Sequence, residues 1–191
     1  MTVDRDRYAS IFVENGCQYY AAARFAMRVA LLPVMGNLFH HAVEQFLKGG
    51  LARKRDMTEL KDRNKAGHDL DKLWRLFKQD FQVNDLTKHD RTIGTLNMFE
   101  DIRYPEKIVE LGMEATADWY PDINYTHSFP PTQSPKYRIV VSEIDELVAD
   151  IFKESSWNPQ AFFQRYSSAN ELIRYQNQHA NFLYGTENKT E

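Results

Sequence analysis

Apolar side chains recur at intervals of three and four residues along most of the chain, and this spacing is the strongest constraint on its fold. An α-helix has 3.6 residues per turn, so side chains spaced in this way share one face. Val, Ile and Thr total only 29 of the 191 residues, so strand-forming residues are few. The spacing is clearest in a predicted helix over residues 35–54, whose stripe consists of Met35, Leu38, Phe39, Ala42, Val43, Phe46, Leu47 and Leu51.

The same spacing predicts further helices and a few irregular segments. The charged residues 52–66 are expected to form a solvated connection, residues 119–136 contain four prolines and are expected to form a long irregular loop, and residues 137–141 are expected to form a single short strand. Pro105 is expected to end the preceding helix near Arg103. The other predicted helices cover residues 17–32, a segment beginning at Gly67, residues 86–102, residues 106–117, a segment beginning at Ser142, and residues 158–184.

These elements predict one domain. It covers residues 17–184, with an N-terminal extension at residues 1–16 and a flexible tail at residues 185–191. The first ten residues lack the apolar segment of a signal peptide, and the chain contains one cysteine, Cys17. We therefore expect a cytoplasmic protein that has no membrane partner.

Several classes of chemistry are excluded by the sequence. A single cysteine excludes multi-cysteine zinc sites. The chain has no Gly-Lys pair, no G-x-G and no H-E-x-x-H, which excludes a phosphate-binding P-loop, a dinucleotide-binding fingerprint and a zinc-protease motif. No histidine has an acidic residue three positions before it, so the Glu-x-x-His element of di-iron bundles is also absent. We therefore expect no cofactor and no metal site. The remaining candidates are helical proteins that use scattered Arg, His, Tyr and carboxylate groups.

A polar edge runs beside the apolar stripe of the helix over residues 35–54. Asn37, His41, Glu44 and Lys48 follow one another at spacings of four, three and four. One interpretation is a solvated or interface edge, stabilised by the Glu44–Lys48 pair. The other is a polar seam facing a groove between helices, in which His41 binds or protonates a ligand.

The pattern Arg-x4-His occurs twice, as Arg63 with His68 and as Arg174 with His179. Arginine and histidine suit RNA cleavage, because arginine stabilises charge on a phosphoryl centre and histidine transfers the proton of a hydroxyl group. A separation of five residues places two side chains about 140° apart on an unbroken helix. The second pair would therefore converge only in a distorted helix or across a dimer.

An ordered set of motifs over residues 17–155 resembles the HEPN family, the helical domains found in higher eukaryotes and prokaryotes. The resemblance implies an all-α, up-and-down helical bundle of HEPN type, here with a long Pro-rich loop and an extra C-terminal helix. The family is usually dimeric, and it includes RNases, toxins partnered by nucleotidyltransferase antitoxins, and non-catalytic members proposed to bind nucleotides or other polar ligands. The motifs are Tyr20-Ala-Ala-Ala-Arg-Phe25, Asn37-Leu-Phe-His-His-Ala-Val-Glu44 with Lys48, Gly67-His-Asp-Leu70 with Leu73, and Phe99-Glu-Asp-Ile-Arg-Tyr-Pro105.

The resemblance favours a non-catalytic member. RNase members carry their Arg–His pair near the start of the final core helix, whereas His68 belongs to the Gly-His-Asp-Leu motif of the third helix and Tyr175 follows Arg174. The leading hypothesis is a dimer that binds a polar or nucleotide-like ligand. The alternatives are a metal-independent RNase and a pure protein-interaction module, such as one half of a toxin–antitoxin pair. The candidate ligand-binding residues are His41, Glu44, Lys48, Arg103 and Tyr104.

Overall fold

The computed structural model describes residues 4–61, 67–82, 85–121 and 136–186, and this part of the chain is mostly helical. Short 3-10 helices cover Asp85–His89, Asp101–Arg103 and Ser167–Ala169. Two strands are present, β1 (Glu114–Asp118) and β2 (Lys136–Val140). The α-helices are α1 (Arg5–Arg28), α2 (Val34–Leu51), α3 (Met57–Lys61), α4 (Leu70–Phe81), α5 (Asp90–Met98), α6 (Pro105–Leu111), α7 (Val141–Glu154), α8 (Gln160–Phe163), α9 (Asn170–Arg174) and α10 (Ala180–Tyr184).

Helices α1 and α2 pack tightly against each other in opposite directions. Val13 and Gly16 of α1 meet Gly49 and Phe46 of α2. A Cβ atom added at Gly16 would lie 2.7 Å from the Phe46 ring, and one at Gly49 would lie 2.6 Å from Val13 Cγ2. Glycine is required here for the close approach of the two helices. Helix α2 continues through Gly49 and Gly50 to Leu51.

The first helix is longer at its N-terminus than the sequence predicts. The predicted helix starts at residue 17, but α1 begins at Arg5. Asp4 caps it, because its side chain accepts a hydrogen bond from the Arg7 N–H (3.1 Å). Ala9 and Val13 of these added turns are buried. The start was missed because the charged residues before Ala9 hide the apolar spacing.

The central helices confirm the predicted faces. Asp69 caps α4 by accepting a hydrogen bond from the Lys72 N–H (3.0 Å), and Tyr104 is extended (φ −109°, ψ 129°) before Pro105. The predicted helix over residues 86–102 is divided into α5 and the two flanking 3-10 segments. The shared core contains six buried phenylalanines from five helices or their ends: Phe39, Phe46, Phe77, Phe99, Phe152 and Phe163. The expectation of a helical bundle is confirmed at this level.

A carboxylate of α7 binds the segment before α5. Asp150 accepts hydrogen bonds from His89 Nε2 (3.0 Å) and Lys153 Nζ (2.9 Å), and it pairs with Lys88 Nζ (2.9 Å). Burial alone raises the pKa of Asp150, but the hydrogen bonds from these three neighbours outweigh it and hold the pKa below its ordinary value. Asp150 is therefore ionised over the ordinary pH range.

The strand region differs from the prediction in two ways. The helix predicted over residues 106–117 ends at Leu111, and residues 114–118 form β1. The strand predicted at residues 137–141 is present as β2, but it is not single, because it pairs in parallel with β1 from Glu114↔Lys136 to Asp118↔Val140. Most of the predicted loop over residues 119–136 lies outside the described residues.

The predicted long helix over residues 158–184 is wrong. The structure has three short helices there, α8, α9 and α10, and Gln176 has a positive φ of 55° between the last two. The buried guanidinium of Arg24 holds this irregular segment on α1, because it donates hydrogen bonds to the carbonyl groups of Leu172 (2.8 Å) and Tyr175. Arg24 also forms an ion pair with Asp145 (2.6 Å).

Asp145 is a buried acidic residue in the second turn of α7. The backbone of Val140 precedes this helix with no side-chain cap, and Asp145 faces the interior, where it accepts hydrogen bonds from Arg24 and from the Tyr20 hydroxyl (2.5 Å). Across the described residues, none of the helices has the length and apolar character needed to cross a bilayer.

Candidate functional site

An open cleft of about 840 Å³ lies along α2, next to the start of α4 and the end of α5. Tyr19 of α1 forms one wall, and Asn97 of α5 forms part of another. The cleft brings together four of the five predicted ligand-binding residues: His41, Glu44, Arg103 and Tyr104. Two of the four residues of the seam predicted on α2, His41 and Glu44, therefore line a groove built from α1, α2, α4, α5 and the turn after α5.

Lys48, the fifth predicted residue, lies behind the cleft wall. Its Nζ donates a hydrogen bond to Glu44 Oε1 (2.7 Å), and the two side chains are only 7% and 1% exposed. The i,i+4 pairing was predicted correctly, but the pair is buried and is not on a solvated edge. Lys48 thus acts on Glu44 and does not line the cleft.

Glu44 connects the polar side chains of the cleft. His68 Nδ1 donates to its carboxylate at 3.0 Å from Oε1 and 3.1 Å from Oε2, and His41 Nδ1 lies 3.4 Å from Oε2. Burial alone raises the pKa of Glu44, but the hydrogen bonds from His41, Lys48 and His68 together with the Lys48 charge lower it to about 2. Glu44 is therefore an anion at neutral pH.

His40 is a buried part of the site that sequence reasoning missed. Its Nδ1 lies 3.0 Å from the Leu96 carbonyl oxygen, and its Nε2 lies 3.9 Å from Glu44 Oε2 and 3.8 Å from Glu100 Oε2. Burial lowers the pKa of His40, so the ring is neutral at neutral pH. Helical spacing indicates its position, because His40 comes four residues after Gly36 and three before Val43 and so shares the buried face of α2 with them.

The junction of α4 and α5 fixes another wall of the cleft. The Leu70 N–H donates to Asn97 Oδ1 (3.0 Å), and Asn97 Nδ2 donates to Asp71 Oδ2 (2.9 Å). One amide side chain therefore bonds both to the first turn of α4 and to an acidic side chain of that turn. This arrangement holds His68, which precedes α4, at a fixed distance from α5.

Aromatic and charged side chains give the cleft its chemical character. Tyr104 is 56% exposed, and the ring centroids of Tyr19 and His41 are 5.4 Å apart, so flat apolar surfaces are available for stacking. Arg103 pairs with Glu100 (3.3 Å). Among the described lining residues, five carboxylates outnumber the basic side chains Lys72 and Arg103: Glu44, Asp69, Asp71, Glu100 and Asp101.

The two Arg-x4-His pairs have different positions in the structure. Arg63 lies outside the described residues, whereas His68 is half exposed in the cleft. Arg174 donates to Asn170 (2.6 Å) and to the Gly185 carbonyl group, and so it holds the C-terminal helices together. His179 precedes α10, and its N–H donates to Asn177 Oδ1 (2.9 Å). Neither residue of the second pair lines the cleft described above.

Comparison of the chain with family models, curated proteins and solved structures finds no match.

Proposed function

We propose that this protein is a non-catalytic helical protein of HEPN type, whose cleft along α2 binds a small polar ligand. One observation carries the proposal. Residues that are far apart in the sequence, such as His41, His68 and Arg103, meet in a single cleft together with the buried anion of Glu44. Buried polar groups that converge on a concave surface are typical of small-molecule sites.

The charge and the aromatic side chains of the cleft define the class of ligand. Five carboxylates face two basic side chains among the described lining residues, so polyphosphates are disfavoured and groups that donate hydrogen bonds are favoured. Tyr19 and Tyr104 offer surfaces on which a flat ring can stack. Among nucleotide-like ligands, we therefore propose nucleosides and bases before nucleoside di- and triphosphates.

Calorimetric and thermal-shift titrations with nucleosides, mononucleotides and dinucleotides test this proposal. We expect a nucleoside to bind, and we expect its triphosphate to bind more weakly. We expect Tyr104→Ala and Arg103→Gln each to weaken nucleoside binding at least about tenfold, a loss typical of removing a stacking or charged contact. Tyr8→Ala, which changes an exposed tyrosine at the start of α1, serves as the matched control. If no ligand of the set binds the wild-type protein, the proposal is wrong.

Exposed apolar side chains at the α1–α2 turn support the proposed homodimer. Phe25, Val29, Leu31 and Val34 lie within ten residues of one another in the sequence and are each about half exposed, and groups of exposed apolar side chains mark interaction surfaces. The proposed partner is a second copy, with a nucleotidyltransferase-type protein as the alternative that the family resemblance implies. Light scattering after size exclusion tests this, and Phe25→Asp is expected to yield monomers. A wild-type protein that is monomeric at all concentrations would refute the homodimer.

RNA cleavage is the second candidate function, and one observation favours it. His68 is half exposed and hydrogen-bonded to the Glu44 carboxylate, in the same cleft as Arg103, so a histidine that can transfer protons and a cation share one surface. Cleavage of RNA in EDTA, lost in His68→Ala and kept in His179→Ala, would support this candidate. Cleavage that survives both substitutions would exclude it.

A further inference from the structure

Four side chains bring metal-ligand atoms close together, and three of them, His41, Glu44 and Glu100, line the cleft. His40, His41 and Glu44 come from consecutive turns of α2, and Glu100 follows α5. The ligand atoms of the first three all lie within 4.8 Å of one another. Glu100 Oε2 lies 3.8 Å from His40 Nε2.

The hydrogen bond of His40 determines which ring nitrogen faces this group. The Leu96 carbonyl oxygen can only accept, so Nδ1 carries the hydrogen and Nε2 of the neutral ring presents a lone pair. That lone pair points between two carboxylates and is fully buried, and neither it nor Glu100 Oε2 has a hydrogen-bond partner among the described residues. Two buried acceptor atoms without partners, His40 Nε2 and Glu100 Oε2, lie 3.8 Å apart, and a cation or a donor between them would satisfy both.

The spacing of these atoms suits a small divalent ion. Zn²⁺ binds nitrogen and oxygen ligands at about 2.0–2.2 Å, so two ligands in a tetrahedral site lie about 3.3–3.6 Å apart. The distance from His41 Nδ1 to Glu44 Oε2 is 3.4 Å, and His40 Nε2 lies 3.9 Å from Glu44 Oε2 and 3.8 Å from Glu100 Oε2. Movements of a few tenths of an ångström would bring Glu44 Oε2 and Glu100 Oε2 to the distance from His40 Nε2 that a shared ion requires.

The surroundings orient these groups as the outer shell of a metal site does. Histidine ligands almost always donate their other ring N–H to a carbonyl or carboxylate oxygen, as His40 does to Leu96. Lys48 donates to Glu44 Oε1, so Oε2 is the oxygen directed towards the two histidines. On binding, His41 would move its hydrogen from Nδ1 to Nε2 and so free Nδ1 as a ligand.

We propose that His40, His41, Glu44 and Glu100 bind one divalent transition-metal ion, for which Zn²⁺ is the best match. Imidazole nitrogen favours Zn²⁺ over Mg²⁺ and Ca²⁺, and the site contains no thiolate. This goes beyond the proposed function, because the ion binds whether or not a ligand fills the cleft. The sequence predicted no metal site, because it has a single cysteine, no H-E-x-x-H and no acidic residue three positions before a histidine. Here the order is reversed, and Glu44 follows His41 by three.

A proton on His40 Nε2 is the competing occupant, because an imidazolium would donate to both carboxylates. A metal ion and a proton exclude each other at this nitrogen. The imidazole ¹⁵N resonances of the protein separate the two cases, since a protonated Nε2 that persists in saturating Zn²⁺ would contradict the proposal.

The test uses the full chain dialysed against EDTA and then titrated with Co²⁺ and Zn²⁺. We expect one equivalent of Co²⁺ to produce the visible absorption of a four-coordinate nitrogen and oxygen site, and Zn²⁺ to abolish it by displacement. His41→Ala and Glu100→Gln, which alter partly exposed side chains, are expected to weaken Zn²⁺ binding at least about tenfold. His40→Gln is expected to abolish it, and circular dichroism shows whether that variant is folded.

His179→Ala is the control for incidental histidine binding, because His179 lies outside the cleft, and it is expected to bind Zn²⁺ as the wild type does. The proposal is refuted if no metal binds at millimolar concentration, or if His41→Ala and Glu100→Gln bind as tightly as the wild type. Nucleoside titrations in EDTA test the cleft separately, so the loss of either activity is recognisable while the other is retained.

Discussion

The buried ion pair between Arg24 and Asp145 offers the sharpest test of how this fold is held together. Both side chains are almost fully buried, and Arg24 donates to both carboxylate oxygens, at 2.6 and 2.7 Å. Asp145→Asn keeps the shape and removes the charge. The new amide group must then face Arg24 or the Tyr20 hydroxyl, and both of these are donors.

The expected loss is large for a single isosteric change. Removing one partner of a buried pair costs about 3–5 kcal/mol, because the remaining charge has no counterion. The asparagine oxygen still accepts one hydrogen bond, which places the expected loss near the lower value, about 3 kcal/mol. For a chain of this length, that corresponds to a melting temperature lower by roughly 6–12 °C.

Urea unfolding followed by far-ultraviolet circular dichroism measures the loss, with an unchanged m-value as the sign that only stability has changed. Glu171→Gln is the matched control, because it breaks a surface pair with Arg28 in which Glu171 is 82% exposed. Exposed pairs contribute about 0–1 kcal/mol. If Asp145→Asn costs no more than this control, the reasoning about burial is refuted.

Two further predictions concern packing and pH. Gly36→Ala places a Cβ atom 2.1 Å from the buried Phe99 ring, so we expect it to lower the free energy of unfolding by about 1–3 kcal/mol. A Cβ atom at Gly94 meets nothing within 4 Å, so we expect Gly94→Ala to raise the free energy of unfolding by about 0.5–1 kcal/mol. Equal effects in chemical denaturation would contradict this. Because the folded-state pKa of Asp150 is depressed, its stabilisation is present above about pH 4, the unfolded-state value, and is lost as the pH falls further. In Asp150→Asn, the free energy of unfolding should therefore fall less steeply than in the wild type between about pH 5 and pH 2. An acid transition identical to that of the wild type would show that the contacts of Asp150 do not stabilise the fold.

The amphipathic helices could be predicted because one residue pattern determines one buried face. Leu70, Leu73 and Phe77 of α4 are buried as their spacing predicts. Strand β1 could not be predicted, because the only apolar residues of Glu114–Asp118 are two alanines, which are poor strand formers, and because its pairing depends on the distant β2. Local periodicity also gives no sign of the break at Gln176 or of the buried role of Arg24, which in the sequence only interrupts an apolar stretch.

The candidate site could be predicted in part for the same reason. His41 and Glu44 share an edge of one helix, so their proximity follows from helical spacing alone. The approach of His68 to Glu44 depends on how α4 packs against α2 and α5, which no local pattern encodes. His40 was missed because its residue type is the same as that of its neighbour His41. Only the helical spacing of α2 separates the buried histidine from the one in the cleft.

The two glycines at the α1–α2 contact have a consequence for selectivity. Tyr19 lies one turn beyond Gly16 on α1, and His41 lies on α2, so the distance between these two helices determines the width of the cleft at this wall. A larger residue at Gly16 or Gly49 would push the helices apart and move Tyr19 away from His41. Substitutions deep in the core, remote from any ligand, would in this way change which molecules fit.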